Sequence, residues 1–198
     1  MAPDSTLLTP AHDPGGRSRR ERILAAAARL FAERGFHGVT IEELGEAVGV
    51  SGPAVYKHFT SKDAVLGELL VGVSQSLLAG ASDVVAGAGG PGDALEGLVA
   101  FHTDFALAGA DLIRVQDRDL ANLSAPLAHD VRSLQRAYVE LWVAALRRVR
   151  PDLGLAEARV RAHATFGLLN STPHSTSTGP DPEIAALLRR MALAALVA

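Results

Sequence analysis

Residues 40–62, TIEELGEAVGVSGPAVYKHFTSK, contain two short helical patterns separated by a turn. Thr40 followed three residues later by Glu43 forms a capping box, which is typical of the start of a helix. Gly49 can adopt the left-handed backbone conformation that a tight turn between two helices requires. The stretch therefore predicts a helix-turn-helix motif at about residues 41–59.

The second helix of this motif is expected at roughly residues 52–58. Ser51 stands where a helix cap belongs, and Pro53 is tolerated because the N–H that it lacks would be unpaired in a first turn. The small side chain of Ala47 is expected to let the two helices approach closely. Gly45 is expected to loosen the first helix, at a cost of about 1 kcal/mol in helix propensity.

A further helix precedes the motif and completes a small three-helix domain. Its apolar positions share one helical face: Ile23, Leu24, Ala27, Leu30 and Phe31. Leu44, Val50 and Val55 from the motif are expected to pack inside the domain. Phe31 and Phe59 are expected to close this core.

The second helix of a helix-turn-helix places its N-terminal residues at base edges in the major groove. Gly52, Pro53 and Ala54 are small enough to permit that approach and would make backbone or apolar contacts. Contacts to phosphates, which position a protein without reading sequence, need hydroxyl or basic side chains. The candidates for this second role are Arg19, Thr40, Ser51, Tyr56, Lys57, His58 and Lys62.

The charge distribution favours a polyanion-binding segment near the N-terminus. The chain carries a net charge of −3, but residues 17–62 carry +3 and residues 63–198 carry −4. Both lysines of the chain, Lys57 and Lys62, lie in the basic segment. Arginines at its start could follow the DNA backbone or reach the minor groove: Arg17, Arg19, Arg20 and Arg22.

Residues 23–66 resemble the DNA-binding domain of the tetracycline-repressor (TetR) family of transcriptional regulators. The resemblance rests on many residues at fixed spacings: Ile23-Leu24-Ala25-Ala26-Ala27, Leu30-Phe31, Gly35-Phe36, Thr40-Ile41, LGEAVGVS at 44–51, Val55-Tyr56-Lys57-His58-Phe59 and Ser61-Lys62. It implies that the chain beyond about residue 75 forms a helical effector-binding and dimerisation domain. It also implies that the last two helices form a four-helix bundle with those of a second copy.

Apolar residues at helical spacing continue to the end of the chain, and no strand pattern is found. We expect an all-α protein of about nine helices, divided into a disordered tail (1–16), a three-helix helix-turn-helix domain (17–63) and a helical ligand-binding and dimerisation domain (64–198). The last two helices are expected at residues 155–170 and 183–197, with a loop at 171–182 between them.

The final helix is apolar on nearly all sides, so it must be buried against the body of its own subunit or against a partner. We expect a homodimer through the last two helices. The second helix of each motif, which we call the reading helix, would then lie about 34 Å from its counterpart and match the half-sites of a palindrome. The candidate interface residues are Phe166, Ile184, Leu187, Leu188, Met191 and Ala195.

Large side chains on helices rich in alanine and glycine are the candidates for an effector pocket, although ordinary core packing is the alternative for each of them. They are Phe101, His102, Phe105, Tyr138, Trp142 and Phe166. Arg114 and Arg118 lie one helical turn apart, which favours a salt-bridged surface. Their segment is also similar to regulators of acyl-CoA and lipid catabolism, where basic groups could meet coenzyme phosphates.

Several functions are excluded or disfavoured. The absence of cysteine rules out disulfides, thiol catalysis and cysteine-based metal sites, and the histidines lack metal-ligand spacing, so neither a cofactor nor a metal is expected. The glycine-rich segment at 87–92 follows a helix rather than a strand, which argues against dinucleotide binding. No apolar run approaches the roughly 18 residues of a membrane helix, and the N-terminus lacks a secretory pattern. We therefore expect a cytoplasmic protein.

These features favour a ligand-responsive transcriptional regulator, most simply a repressor, that binds a palindromic operator as a homodimer. A small, largely apolar effector would release it. One alternative is a DNA-binding module whose C-terminal domain recruits protein partners without sensing a ligand. Another is an enzyme whose N-terminal helices are merely structural, although no metalloprotease or serine-hydrolase motif is present.

Overall fold

The computed structural model describes residues 18–172 and 181–198. Nine α-helices begin and end within these residues, and no strand occurs among them. The helices are α1 (Arg19–Arg34), α2 (Ile41–Glu46), α3 (Gly52–Val55), α4 (Lys62–Gly87), α5 (Pro91–Ala108), α6 (Ala110–Asp119), α7 (Ala125–Val149), α8 (Leu155–Leu169) and α9 (Pro182–Val197). A single 3-10 turn, Leu120–Asn122, joins α6 to α7. The all-α prediction is confirmed. The expected tail at 1–16 and most of the expected loop at 171–182 lie outside the described residues.

Side-chain caps fix the starts of the N-terminal helices. Ser18 and Glu21 form a capping box at the start of α1, and Thr40 and Glu43 form the predicted one at the start of α2. In the latter, the Thr40 backbone N–H donates to the Glu43 carboxylate at 2.8 Å. This hydrogen bond, together with that of Arg34, lowers the pKa of Glu43.

The helix-turn-helix core is packed as the sequence predicts. Leu44, Val55 and Phe31 are fully buried, and Phe59 is nearly so. Gly49 in the turn has φ +74°, the left-handed conformation that favours glycine.

The expectation about Ala47 is wrong, and Gly45 has a packing role that was not expected. Ala47 is exposed and does not mediate the approach of the two helices. That role belongs to Gly45, which is buried. A Cβ added to it would lie 2.7 Å from the Val50 carbonyl oxygen and 3.1 Å from the Ser51 carbonyl carbon. Gly45 therefore lets α2 pack directly on the backbone that leads into α3.

Helix α4 joins the two halves of the molecule without a break. Its first turns bury Leu66 and Leu69 against the core of α1–α3, and its later turns bury Val73 and Leu77 against a second core formed with α5, α7, α8 and α9. The proposed domain boundary at 63/64 falls in the first turn of this helix.

Helix α4 also corrects the expectation that no segment reaches membrane length. By length and composition alone it could span a bilayer, and no other helix among the described residues could. However, half of its apolar window is buried inside the protein, where α4 packs along α5 and α7. This is the pattern of a core helix.

Candidate nucleic-acid interface and effector site

Helix α3 and the turn after it present one face to solvent and the other to the core. Pro53, Tyr56 and Lys57 are exposed, and Tyr56 retains 53% of its accessible surface. Val55 and Phe59 anchor the opposite face in the core. The helix ends at Val55, earlier than expected, and the following three residues form a turn.

The other candidate DNA-contacting residues in the motif differ in exposure and in whether their polar groups are already hydrogen-bonded. Ser51 occupies the cap position of α3, but its hydroxyl makes no capping hydrogen bond and is exposed, contrary to the expected side-chain cap. The Thr40 hydroxyl, by contrast, already donates to the Glu43 carboxylate. Ala54 is half-buried, and Gly52 is buried next to Glu42, so only its backbone could contact a ligand.

Lys62 is held by the fold rather than extended into solvent. Its ammonium group donates to the backbone carbonyls of Phe36 at 2.8 Å and Val39 at 2.7 Å, and lies 4.4 Å from the centroid of the Phe36 ring. An ammonium group has three N–H donors, so one remains for a phosphate. Lys62 ties the start of α4 to the loop between α1 and α2.

The arginines at the start of α1 fall into two groups that the sequence did not separate. Arg20 pairs with Glu68 on α4, donates to the His58 carbonyl at 2.6 Å and lies over the Phe59 ring. His58 itself is half-buried. Arg20 therefore connects α1 to α4 and to the end of the turn that follows α3.

Arg22 belongs with Arg20 in the first group, and Arg19 represents the second. Arg22 donates to the Val48 carbonyl at 2.9 Å and so supports the turn of the motif. Arg19, at the first position of α1, is exposed. Unlike Arg20 and Arg22, Arg19 faces solvent without a hydrogen bond to a backbone carbonyl of another element in the described residues. Arg17 lies outside the described residues.

Five of the six candidate effector residues come together in the second core as one aromatic cluster. The His102 ring centroid lies 5.0 Å from that of Phe166, 5.6 Å from Phe105, 5.7 Å from Tyr138 and 5.9 Å from Trp142. Trp142 and Phe166 also contact each other edge to face, with centroids 4.9 Å apart. We refer to these five residues as the aromatic cluster.

Phe101 does not join the aromatic cluster. Its ring lies against Gly80 of α4, where an added Cβ would come within 2.5 Å of the ring. Phe101 and His102 are adjacent on α5 and therefore point in different directions. The prediction that both line one effector pocket did not take this into account. Gly80 provides the space that the Phe101 ring fills.

Two hydrogen bonds connect the polar atoms of the aromatic cluster. His102 Nδ1 lies 3.0 Å from the Tyr138 hydroxyl, and His102 Nε2 lies 3.0 Å from Asn170 Oδ1 at the end of α8. Burial lowers the pKa of His102 to about 4, although the hydrogen bond to Asn170 opposes this shift. Burial likewise raises the pKa of the Tyr138 phenol. Both groups are therefore neutral near pH 7. Asn170 was missed because an amide at a helix end carries no distinctive sequence signal.

A surface groove lies away from the aromatic cluster. It has a volume of about 420 Å³ and is lined by residues of α7 and the start of α8, namely Glu140, Val143, Ala144, Arg147, Arg148 and Leu155. None of the candidate effector residues lines it. No group of side chains suited to holding a metal ion occurs among residues 18–172 and 181–198.

The candidate dimer residues divide between the surface and the core of the subunit. Leu187 and Met191 on α9 are exposed at 47% and 46%, and Val160 on α8 at 67%. Ala195 is exposed as well, whereas Ile184 and Leu188 are half-buried. Ala192 and Leu196 on the opposite face of α9 are fully buried in the second core. Phe166 belongs to the aromatic cluster.

Arg118 has a role that the sequence did not indicate. Its guanidinium group donates to the backbone carbonyls of Phe31 and Ala32 at the end of α1, and pairs with the buried Asp119. Arg114 instead pairs with Asp111 at 3.2 Å on α6. Arg118 is thus a link from α6 to the helix-turn-helix domain.

An all-α chain with a helix-turn-helix, an exposed reading helix and a separate helical core is a DNA-binding transcriptional regulator. The family model described as bacterial regulatory proteins, tetR family, matches residues 23–69. The HTH-type transcriptional repressor KstR2 of Rhodococcus jostii (strain RHA1) is 31% identical over 165 residues, which cover 82% of this chain and 80% of that protein. The chain belongs to the TetR family, whose members are transcriptional regulators and not enzymes.

Solved structures agree with this assignment. A TetR-family transcriptional regulator from Bordetella parapertussis 12822 has a TM-score of 0.78 and 26% identity, covering 88% of this chain and 93% of its own. The structure of the ketosteroid transcriptional regulator KstR2 of Mycobacterium tuberculosis has a TM-score of 0.78 and 22% identity, covering 91% and 94%. At this lower identity the second comparison supports the fold alone.

Proposed function

We propose that this protein is a repressor that binds a palindromic operator as a homodimer and is released by a small, largely apolar effector. The observation that carries the proposal is the exposed face of α3 and of the turn after it, where Pro53, Tyr56 and Lys57 face solvent while Val55 and Phe59 anchor the opposite side in the core. A helix held in this way can enter a major groove without disturbing its own core.

The residues at this surface would have two kinds of contact. Gly52, Pro53 and Ala54 would approach base edges through backbone and apolar groups. Phosphate contacts would come from hydroxyl and basic groups, which bind in a salt-dependent manner: Arg19, Thr40, Ser51, Tyr56, Lys57, His58 and Lys62. All of these are exposed except His58 and Lys62, which are half-buried.

The homodimer would form through α8 and α9. Val160, Leu187 and Met191 are large apolar side chains that the subunit leaves exposed on these two helices. Burying such side chains against a second copy removes apolar surface from water and pairs two reading helices with two half-sites.

The effector would bind at the aromatic cluster in the 64–198 domain. The cluster is made mostly of ring surfaces, contains no ionised group near pH 7 and joins α5, α7 and α8. A lipid-related ligand fits this chemistry, with an acyl-CoA as one form of it, and KstR2 of Mycobacterium tuberculosis is described as a ketosteroid transcriptional regulator. A regulator that binds DNA and a metabolite would act in the cytoplasm.

Effector and operator would oppose each other through linkage. An effector that prefers a conformation with the two reading helices wrongly spaced weakens operator binding by its differential affinity for the two forms. Arg118, which joins α6 to the end of α1, lies between the two sites.

Selection of binding sequences from a random duplex DNA pool tests the DNA-binding proposal. We expect enrichment of a palindrome bound by one or more dimers; enrichment of no sequence would contradict the proposal. Thermal-shift screening of lipid-related compounds, followed by measurement of operator release, tests the effector. A compound that stabilises the protein and releases DNA supports sensing, whereas a C-terminal domain that only recruits proteins would show no release.

A further inference from the structure

Helix α3 is too short to keep its own orientation. It has four residues, and isolated helices of that length are not stable in water. The direction in which its exposed side chains point therefore depends on what holds α3 and the turn after it, residues 52–58, which we call the reading segment. Val55 and Phe59 anchor one side of this segment in the core.

A single guanidinium group holds the end of the reading segment. Arg20 Nη1 donates to the His58 carbonyl at 2.6 Å, and the guanidinium carbon lies 4.5 Å from the centroid of the Phe59 ring. The other two nitrogens, Nε and Nη2, donate to the two carboxylate oxygens of Glu68, with the Nε bond at 2.6 Å. All three guanidinium nitrogens are thus engaged, and the pairing with Glu68 is bidentate, which gives geometric specificity as well as energy.

Glu68 stands on a rigid support. It lies in the second turn of α4, next to Leu69, and both Leu66 and Leu69 of this helix are fully buried in the core. The Arg20 and Glu68 side chains are themselves 47% and 35% exposed, and exposed ion pairs contribute little to stability. What the pair chiefly determines is the position of the His58 carbonyl relative to α1 and α4.

We propose that Arg20 and Glu68 are positioning residues for operator binding. The Glu68 carboxylate orients the Arg20 guanidinium, which holds the His58 carbonyl and so sets the angle at which the reading segment enters the major groove. The same carboxylate balances the charge that would otherwise attract a phosphate to Arg20. The inference rests on the proposed function and adds two residues that serve recognition without contacting DNA.

Removal of Glu68 separates positioning from electrostatics, because the two predict opposite effects. E68A removes a negative charge and frees Arg20, so electrostatics alone would tighten binding to DNA. Positioning predicts weaker binding to the operator. R20A/E68A removes the whole pair and keeps the natural net charge, so a loss of affinity in this variant cannot come from a change in net charge.

The chain offers a matched control in a second arginine–glutamate pair. Arg29 and Glu33 lie one turn apart on α1, with their charged groups 3.6 Å apart and both side chains exposed. E33A and R29A/E33A remove the same charges and introduce the same helix-forming residue. Because both members of this pair belong to α1, their removal leaves the attachment of the reading segment intact.

Each protein is titrated with the palindrome selected from random duplex DNA and with a scrambled duplex of the same composition, at several salt concentrations. We expect E68A and R20A/E68A to bind the palindrome about fivefold more weakly than the natural chain, a ratio that corresponds to roughly one hydrogen bond. Binding to the scrambled duplex, which depends on phosphate contacts, should not weaken. E33A and R29A/E33A should leave the ratio of the two affinities unchanged.

R20K tests the shape of the group rather than its charge. Lysine keeps the positive charge but lacks the planar fork that bridges a carboxylate and a carbonyl. We expect R20K to lose palindrome affinity to about the same extent as E68A. Natural palindrome affinity in R20K would overturn the proposal.

Three other results of the titrations would overturn it. One is E68A binding the palindrome as tightly as E33A does. Another is a salt slope lower by about one in R20A/E68A than in R29A/E33A, which would show that Arg20 contacts a phosphate. The third is a lower unfolding temperature without any change in the affinity of the folded protein. Binding is compared at a temperature at which circular dichroism shows the variants folded, and E68A and R20K decide the matter if R20A/E68A does not fold.

Hydrogen exchange in the absence of DNA tests the attachment independently of the proposed function. The His58 and Phe59 backbone N–H groups donate to the Val55 carbonyl at 2.9 and 3.0 Å. We expect both to exchange about fivefold faster in E68A than in E33A, because a released segment opens more often. Equal exchange rates would overturn the proposal. If exchange differs but the natural chain prefers no DNA sequence, the proposed function fails while Arg20 and Glu68 still position the segment.

Discussion

Arg118 on α6 donates a hydrogen bond to the backbone carbonyl of Phe31, at the end of α1. The same carbonyl accepts a hydrogen bond from the Gly35 backbone N–H at 2.8 Å, and a cation at the C-terminal end of a helix interacts favourably with the helix dipole. The same guanidinium group pairs with Asp119, whose side chain is only 4% exposed. One side chain thus links α6 to the end of α1 and compensates a buried carboxylate.

Replacing Arg118 should therefore destabilise the protein beyond the loss of one surface contact. We expect R118A to lower the free energy of unfolding by about 1–3 kcal/mol, because Asp119 would be left buried without its cation. The double variant R118A/D119A should recover part of this loss. Urea denaturation measures both, and a double variant no more stable than R118A would contradict the explanation.

The reading surface can be tested by removing its exposed side chains. We expect Y56A and K57A each to weaken operator binding, and K57A to reduce the slope of log affinity against log salt by about one. R132A, which removes an exposed arginine on α7, is the matched control and should change neither. Unaltered operator binding by folded Y56A and K57A would show that α3 is wrongly placed on the DNA.

Gly45 provides a test of packing against helix propensity. Alanine at this position would gain about 1 kcal/mol in propensity. Its Cβ, however, would lie 2.7 Å from the Val50 carbonyl oxygen, and a backbone atom can move away only if α3 shifts. We expect G45A to be less stable than the natural chain by about 1 kcal/mol, as overpacking commonly costs more than propensity returns. G92A is the control, because an added Cβ at exposed Gly92 meets nothing. A more stable G45A in thermal unfolding would contradict this.

The proposed dimer depends on apolar side chains that do not support the subunit's own core. We expect L187E/M191E to shift the chain from dimer to monomer in sedimentation analysis, since both side chains are about half exposed in the subunit. Truncation of α9 would be a poorer test, because it also removes Ala192 and Leu196 from the core. A double variant that remains dimeric would place the interface elsewhere.

The buried histidine makes stability depend on pH. The pKa of His102 is lowered from 6.5 to about 4 by burial, so between these values the unfolded chain binds a proton that the folded chain does not. Stability should therefore fall as pH decreases through this window, by up to about 1.4 kcal/mol per pH unit, and be unaffected by this group above it. H102Q lacks the titration and should show a flatter dependence in denaturant unfolding from pH 7 to 4. Parallel pH curves for the two proteins would contradict the assignment.

The sequence predicts the helices well because their ends are decided locally. Thr40 with Glu43, and Gly49 with its positive φ, act within a few residues of themselves. The sequence is a poorer guide to the side-chain contacts that depend on how the helices cross. Whether Gly45 or Ala47 faces the next helix, and whether Phe101 joins His102, follows from helix rotation and packing.

Long-range polar contacts were the least predictable. Arg19, Arg20 and Arg22 look alike in the sequence, yet Arg20 meets Glu68 and the His58 carbonyl, and Arg22 meets the Val48 carbonyl. Nothing in local spacing distinguishes an arginine that meets a distant carbonyl from one that meets solvent. The aromatic cluster was easier, because rings are rare in this chain and those on α5, α7 and α8 fall at positions of apolar helical faces.

The unequal environments of the two lysines make the chain suitable for selective chemical labelling. Lys62 is enclosed by two carbonyls and the Phe36 ring, whereas Lys57 is exposed beside Tyr56 in the turn after α3. An amine-reactive dye would thus attach, among the lysines, preferentially at the reading surface. Protection of that label by DNA would report occupancy of the groove directly.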